Sequence, residues 1–159
     1  MKIPDTHDLR YKEETKDDVP FSELVGKSVV RIVVELDEED NERMSFVLSD
    51  GSAIVLFHFQ SCCERVGIED VCGDLEDLLI DRITRAEERS NDRHNEDESA
   101  ERWTFYEIAT RKGSVTVRWH GKSNGYYSVA VSVLHAAEIA APEEVVRDIA
   151  AGGVVDWPN

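Results

Sequence analysis

Residues 57–79, FHFQSCCERVGIEDVCGDLEDLL, concentrate the side chains of this chain that could do chemistry. His58 precedes an adjacent pair, Cys62 and Cys63, by four and five positions, and Glu64 follows at once. Imidazole, thiolate and carboxylate all ligate metals. His58, either cysteine and Glu64 could therefore form a three-ligand site for metal-dependent hydrolysis, provided the chain turns after Phe59. Adjacency weakens that reading, because consecutive strand residues point to opposite faces and both thiols would rarely reach one ion. The Cys-x2-Cys spacing of structural zinc sites is absent. Glu69, Asp70, Asp74 and Asp77 could hold Ca²⁺ or Mg²⁺, but they lack the alternate-residue pattern of an EF-hand loop. A nucleophilic cysteine needs a lowered pKa, and the acids around this pair would raise it. A vicinal disulfide is a rare arrangement. These considerations favour a cysteine serving as a small buried hydrophobe at a strand-to-helix junction. No metal and no other cofactor is expected.

The elements that must position these residues follow from the apolar pattern. Residues 1–19 are polar and aperiodic and read as an arm ending at Pro20. FSELVGK looks like a short helical turn, with Ser22 as cap and Gly26 as stop. SVVRIVVEL (28–36) is rich in β-branched residues and reads as a strand. Asp50-Gly51 between two apolar runs predicts a two-residue hairpin within 44–60, so the first three strands form a meander. Asp74 before Leu75, Leu78 and Leu79 predicts a capped helix with Glu76 and Asp77 in its first turn. RITRAEERS (82–90) alternates like an edge strand, and NDRHNEDESAE (91–101) reads as a charged loop. Strands are expected at 102–110, 114–121 and 126–134, with Asn124-Gly125 as a tight turn. Pro142, Glu143 and Glu144 open a predicted C-terminal helix running to about Ala151. The expected fold is α+β: an antiparallel sheet of about six or seven strands, a short central helix and a C-terminal helix. Residues 20–137 make the domain, and 138–159 the terminal helix and tail.

A second constellation is aromatic. Alternation puts Trp103, Phe105 and Glu107 on one face of their strand and Thr104, Tyr106 and Ile108 on the other. In the next strand Val117 and Trp119 lie opposite Arg118 and His120. Packing Trp103 or Phe105 against Val117 and Trp119 makes a core. That choice leaves Tyr106, Arg118 and His120, with Asn124, Tyr126 and Tyr127, as an exposed contact surface suited to a ligand, a nucleotide or a protein.

Charge narrows the partners. Thirty-four Asp and Glu face 18 Lys and Arg, a formal net charge of −16. The excess is clustered: Glu35, Asp37, Glu38, Glu39 and Asp40 precede Glu42, a second group includes Glu69, Asp70, Asp74, Glu76 and Asp77, and a third spans Glu87 to Glu101. Such a surface repels nucleic acid and steers basic partners toward it, including partners that ordinarily bind nucleic acid. With 41% hydrophobic residues the chain is globular. It lacks an apolar run of membrane-spanning length and an apolar N-terminal signal region, so no membrane association is expected. Three cysteines in a chain of this kind point to a reduced, cytoplasmic protein.

The order HFQSCCERVGIEDVCGDLEDLL, then AEE, then WTFYEIATRKGSVTVRWHGKSNGYYS resembles a family of small proteins of bacteriophages and their hosts, a domain of unknown function. The resemblance spans roughly residues 25 to 130 and rests on Cys-Cys-Glu, Gly-Asp-Leu, Trp-Thr-Phe-Tyr and Ser-Asn-Gly-Tyr-Tyr-Ser. It implies a phage or mobile-element setting in a bacterial host and no particular activity. The function expected is non-catalytic: binding and inhibition of a host or defence protein that carries a basic surface, with carboxylates standing in for nucleic-acid phosphates. A small-ligand or nucleotide-binding (sequestering) protein and a metal-dependent hydrolase using His58, Cys62, Cys63 and the acids beside them are the alternatives.

Overall fold

The β-branched runs do become strands, and they build a sheet architecture with almost no helix. The computed structural model describes residues 19–36 and 40–137, together with the backbone pairing of 147–148. Among the described residues nine strands form two antiparallel sheets: β1 Val29–Leu36, β2 Glu42–Leu48, β3 Ala53–Phe57, β4 Arg65–Cys72, β5 Arg85–His94, β6 Ala100–Thr110, β7 Gly113–Ser123, β8 Ser132–Ala136 and β9 Arg147–Asp148. One sheet has the order β8-β3-β2-β1-β9, the other β4-β7-β6-β5. Among the described residues, helix is limited to two 3-10 turns, Phe21–Leu24 and Leu75–Leu78.

The two sheets share one core. Ile32 and Val34 of β1, Met44 and Phe46 of β2, and Ile54 and Leu56 of β3 meet Tyr106, Ile108, Val115, Val117 and Trp119 of the second sheet. Phe21 bridges them, 4.7 Å from the Tyr106 ring and 6.1 Å from Phe46. A second apolar cluster, including Val33, Val55, Phe57 and Leu134, lies on the opposite face of the five-stranded sheet. Burial on both faces explains why β1 and β3 read as continuous apolar runs without alternation.

The α+β expectation is corrected on three points. First, Asp74 does cap, accepting the Glu76 N–H at 3.0 Å, but only one 3-10 turn follows. Leu79 is already extended, bridging to Val29 and giving its carbonyl to Lys112 Nζ, so no further helical bonds can form. Second, the predicted C-terminal helix is replaced at its described residues by β9, whose Arg147 and Asp148 pair with Val34 and Val33. The rest of that segment, like arm residues 1–18, lies outside the described residues. Third, the charged loop 91–101 is mostly hairpin. β5 runs to His94 and β6 begins at Ala100, because Arg93–Glu101, Asp92–Arg102 and Arg89–Glu107 pair across the strands where apolar side chains are lacking.

Two smaller readings also shift. The Asp50-Gly51 hairpin exists but has three loop residues: Leu48 N–H bonds the Ser52 carbonyl, and Gly51 takes the left-handed position at φ 87°. The expected strand 126–134 narrows to β8, while β4 forms where only scattered apolar residues were read.

Ile80 carries an unusual conformation. It sits at φ 75° at the centre of a γ-turn closed by Asp81 N–H to the Leu79 carbonyl (2.9 Å), and it is 77% exposed. Positive φ is strained for a β-branched residue, and this turn form is rare. Ile80→Gly relieves the strain and loses little burial. It is expected to raise the unfolding free energy by about 1 kcal/mol, allowing for the flexibility glycine adds to the unfolded chain. Urea denaturation checks this, and a destabilised variant would contradict it.

Candidate functional site

The site begins where β3 ends. His58 is buried, with Nδ1 2.6 Å from the Ala130 carbonyl and Nε2 3.2 Å from Glu64 Oε1. The tight connection to β4 needs acceptors for backbone groups that no strand pairs, and Glu64 supplies them. Its carboxylate accepts the N–H of Ser61 at 2.5 Å and of Cys62 at 3.2 Å. Gln60 completes the loop by donating to the Glu64 and Cys62 carbonyls. Burial pushes the Glu64 carboxyl up. The N–H groups of Ser61, Glu64 and Cys62, with the His58 ring, outweigh it and hold the group at about 2.

This loop overturns the reading of a buried cysteine. Cys62 and Cys63 are both exposed and are joined to each other as a disulfide. A ring between adjacent residues closes no chain loop, so it constrains the unfolded chain little. Reduced cysteines were expected, and only Cys72 is a free thiol. Its hydrogen bond to Asp70 and that carboxylate's charge push the thiol up, against nucleophilic use.

A cleft of about 780 Å³ opens beside the loop. Its walls are the Asp40–Glu42 approach to β2, the Gln60–Glu64 loop, the first half of β4, and His120 and Lys122 at the end of β7. Beyond its rim lies the outer face of the four-stranded sheet. Here Glu101 accepts from Arg93 Nε (3.0 Å) and Asn95 (3.1 Å), and pairs with His120 Nε2 (3.0 Å). Asn95, Arg93 and His120 together hold its carboxyl at about 2. The Trp103 ring lies 5.0 Å from that of His120, and the Arg93 guanidinium sits 5.2 Å over Trp103. A cation over an indole face is attracted by the ring's quadrupole.

The predicted contact surface is thus partly inverted. Tyr106 is fully buried and cannot be a surface contact. In the β6–β7 register it lies opposite Val117, while Phe105 lies opposite Arg118 and Trp103 opposite His120. Trp103 and Phe105 are therefore the outer aromatics, and Arg118 and His120 do lie outside as expected. Asn124 accepts the Tyr126 N–H, and Tyr126, 85% exposed, stands edge-on to Tyr127 at 5.1 Å.

The acidic candidates separate in the same way. Glu35 is buried with Arg43 at 2.7 Å, and burial raises its carboxyl, so it belongs to no recognition surface. Asp37, Glu38 and Glu39 lie outside the described residues. Asp40 is exposed at the cleft. Glu69 and Asp70 reach Arg118 at 3.5 and 3.8 Å, Asp74 caps its turn, Glu76 is exposed, and Asp77 backs Gly113. The proposed hard-cation quartet is thus divided among separate tasks. Among the described residues no three His, Cys, Asp or Glu side chains converge as a ligand set.

The segment holding the loop, the cleft and the outer face has a family counterpart. A family model described as Domain of unknown function (DUF7448) matches residues 22–133. The chain belongs to this family. No curated protein and no solved structure matches it. The family region begins within the first 3-10 turn and ends within β8, so it encloses every candidate residue named above. No helix among the described residues is long and apolar enough to cross a membrane. Sequence reasoning missed Glu64 as the loop's organiser, and it missed Glu101 with Arg93 and Trp103. The signal available for Glu64 was a carboxylate within three positions of two turn amides, the spacing of local side-chain-to-backbone bonds.

Proposed function

We propose that this protein is a non-catalytic binding protein of a phage or mobile element, holding a host or defence protein by a basic patch on that partner. The observation that supports this reading is how the carboxylates divide. Many are consumed internally: Glu64 by loop amides, Glu101 by Arg93, Asp92 by Arg102, Glu107 by Arg89. A remainder along β5 and its hairpin tip, Glu87, Glu96 and Glu98, is exposed and has no cation partner among the described residues. Acids not needed for the fold, with the Glu98 carbonyl close against Gly125 next to the exposed Tyr126, make a surface suited to charge-steered recognition. The phage setting rests on the sequence motifs.

Capture from host lysate on the immobilised full chain tests the reading. A discrete partner is expected at low salt, released near physiological strength and above, because exposed charges are screened beyond about 8 Å there. Glu87→Lys, Glu96→Lys and Glu98→Lys combined should reduce capture at least about tenfold, chiefly through slower association. The melting temperature should barely change, since exposed charges contribute about 0–1 kcal/mol each. Capture indifferent to salt and to the charge reversal would overturn the proposal, as would the absence of any partner. Displacement of the partner by duplex DNA would mark the carboxylates as phosphate mimics.

A further inference from the structure

One edge of the four-stranded sheet is dressed as though for an added strand. Among the described residues β4 has no strand neighbour on its outer side, and the cleft runs along that side. Exposed edges ordinarily offer unpaired N–H and C=O groups to another chain. In an antiparallel pair, residues alternate between bonding the neighbour and pointing both backbone groups away from it. Ile68 gives its N–H not to β7 but to Glu42 Oε1, at 3.0 Å, so its groups point into the cleft. Val66, two residues earlier in the same unbroken register, shares that orientation. A side-chain carboxylate therefore sits where a neighbouring strand would present a carbonyl.

The residue between them is Gly67, and Glu42 Oε1 lies 2.7 Å from where a Cβ would stand. Glycine within a strand often marks close approach of another group. The lining is acidic by count. Asp40, Glu42, Glu64 and Glu69 outnumber Arg65 and Lys122, with Glu64 also held by the loop amides and Glu69 by Arg118, in a chain carrying a net charge of −16.

We infer that the β4 edge is a strand-addition site for an extended, lysine- or arginine-bearing peptide segment, with the Glu42 carboxylate as the internal stand-in that the peptide's carbonyl displaces. Main-chain bonds to Val66 and Ile68 supply the affinity, and the acidic walls select the basic side chains. The inference rests on the protein-binding reading above and adds to it a second contact, on the edge of the four-stranded sheet opposite β5.

The probe is an acetylated, amidated peptide of alternating valine and lysine, titrated into the ¹⁵N-labelled full chain. Saturable shifts centred on β4 are expected, with slower amide exchange at Val66 and Ile68. The same peptide N-methylated at alternate positions keeps its charge but cannot pair, and it should bind at least roughly tenfold more weakly. Ile68→Pro removes the cleft-facing N–H at an edge position that tolerates proline, and it should cause a comparable loss. Equal binding of the methylated peptide would reduce the interaction to charge and overturn the inference, as would shifts that avoid β4 or an absence of binding. If lysate capture succeeds and the peptide still fails, strand addition alone is refuted.

Discussion

Replacing Glu64 by alanine is expected to lower the unfolding free energy by about 3 kcal/mol and to open the loop that walls the cleft. The substitution strips the acceptor from the Ser61 and Cys62 amides and from His58 Nε2 in one step. Each buried donor left unpaired costs roughly 1–3 kcal/mol. The two amides belong to exposed residues that water can reach, so the sum stays at the lower end. His58 bears the larger share, being buried and left with only the Ala130 carbonyl.

The same carboxylate sets a pH dependence whose sign follows from the direction of its shift. Glu64 is held at about 2 in the folded protein against an ordinary value of 4.5. A depressed folded pKa means that its contribution is complete above about 4.5 and is lost as pH falls toward 2, on the order of 3 kcal/mol in all. Urea midpoints followed through that window should fall steeply for the native chain. Glu64→Gln should show a shallower slope, the remainder belonging to Glu101, whose carboxyl is depressed in the same direction. Superimposable acid profiles for the native chain and Glu64→Gln would show that Glu64 does not titrate as its contacts require.

Tyr106→Ala is expected to cost about 3–5 kcal/mol, a large part of the stability of a domain this size. The ring is fully buried between Phe21 and the β6–β7 surface, and its removal leaves a cavity that rigid strands on both sides cannot close. Tyr106→Phe is milder, about 1 kcal/mol, because the hydroxyl makes only a long bond to Glu88 at 3.3 Å. Burial, aided by the Glu88 carboxylate, pushes that hydroxyl well above the usual tyrosine range, so it stays protonated throughout. Thermal unfolding of both variants decides the matter. An alanine variant within about 1 kcal/mol of the native chain would place the ring on the surface, where packing Trp103 or Phe105 against Val117 and Trp119 would have left it.

That inversion shows where local pattern ends. The β-branched run 28–36, the Asp50-Gly51 turn and the cap at Asp74 were legible because each rests on interactions among near neighbours in the chain. So was the outward placement of Arg118 and His120, polar side chains alternating with valine and tryptophan. The helix after Asp74 was not legible. Its continuation depends on whether Leu79 is claimed by β1 and Lys112, partners far away in sequence. Residues 91–101 looked like loop because their stabilising pairs, Arg93–Glu101 and Asp92–Arg102, form only once the hairpin register exists.

The amino-acid sequence by itself therefore determined the acidity of the chain, its strand-forming segments, several of its turns and its membership of a domain family of unknown function. Tertiary structure alone decided which face of β6 is inside, which carboxylates are spent on the fold, and that Cys62 and Cys63 are turned outward beside a cleft. The physical reason is the period of the strand. A two-residue alternation is unchanged when the strand is turned over, so Trp103 and Phe105 or Tyr106 and Ile108 could equally have been the buried set. Only the partners that β6 meets across the register, Trp119 opposite Thr104 and Val117 opposite Tyr106, together with the Phe21 ring, break that symmetry.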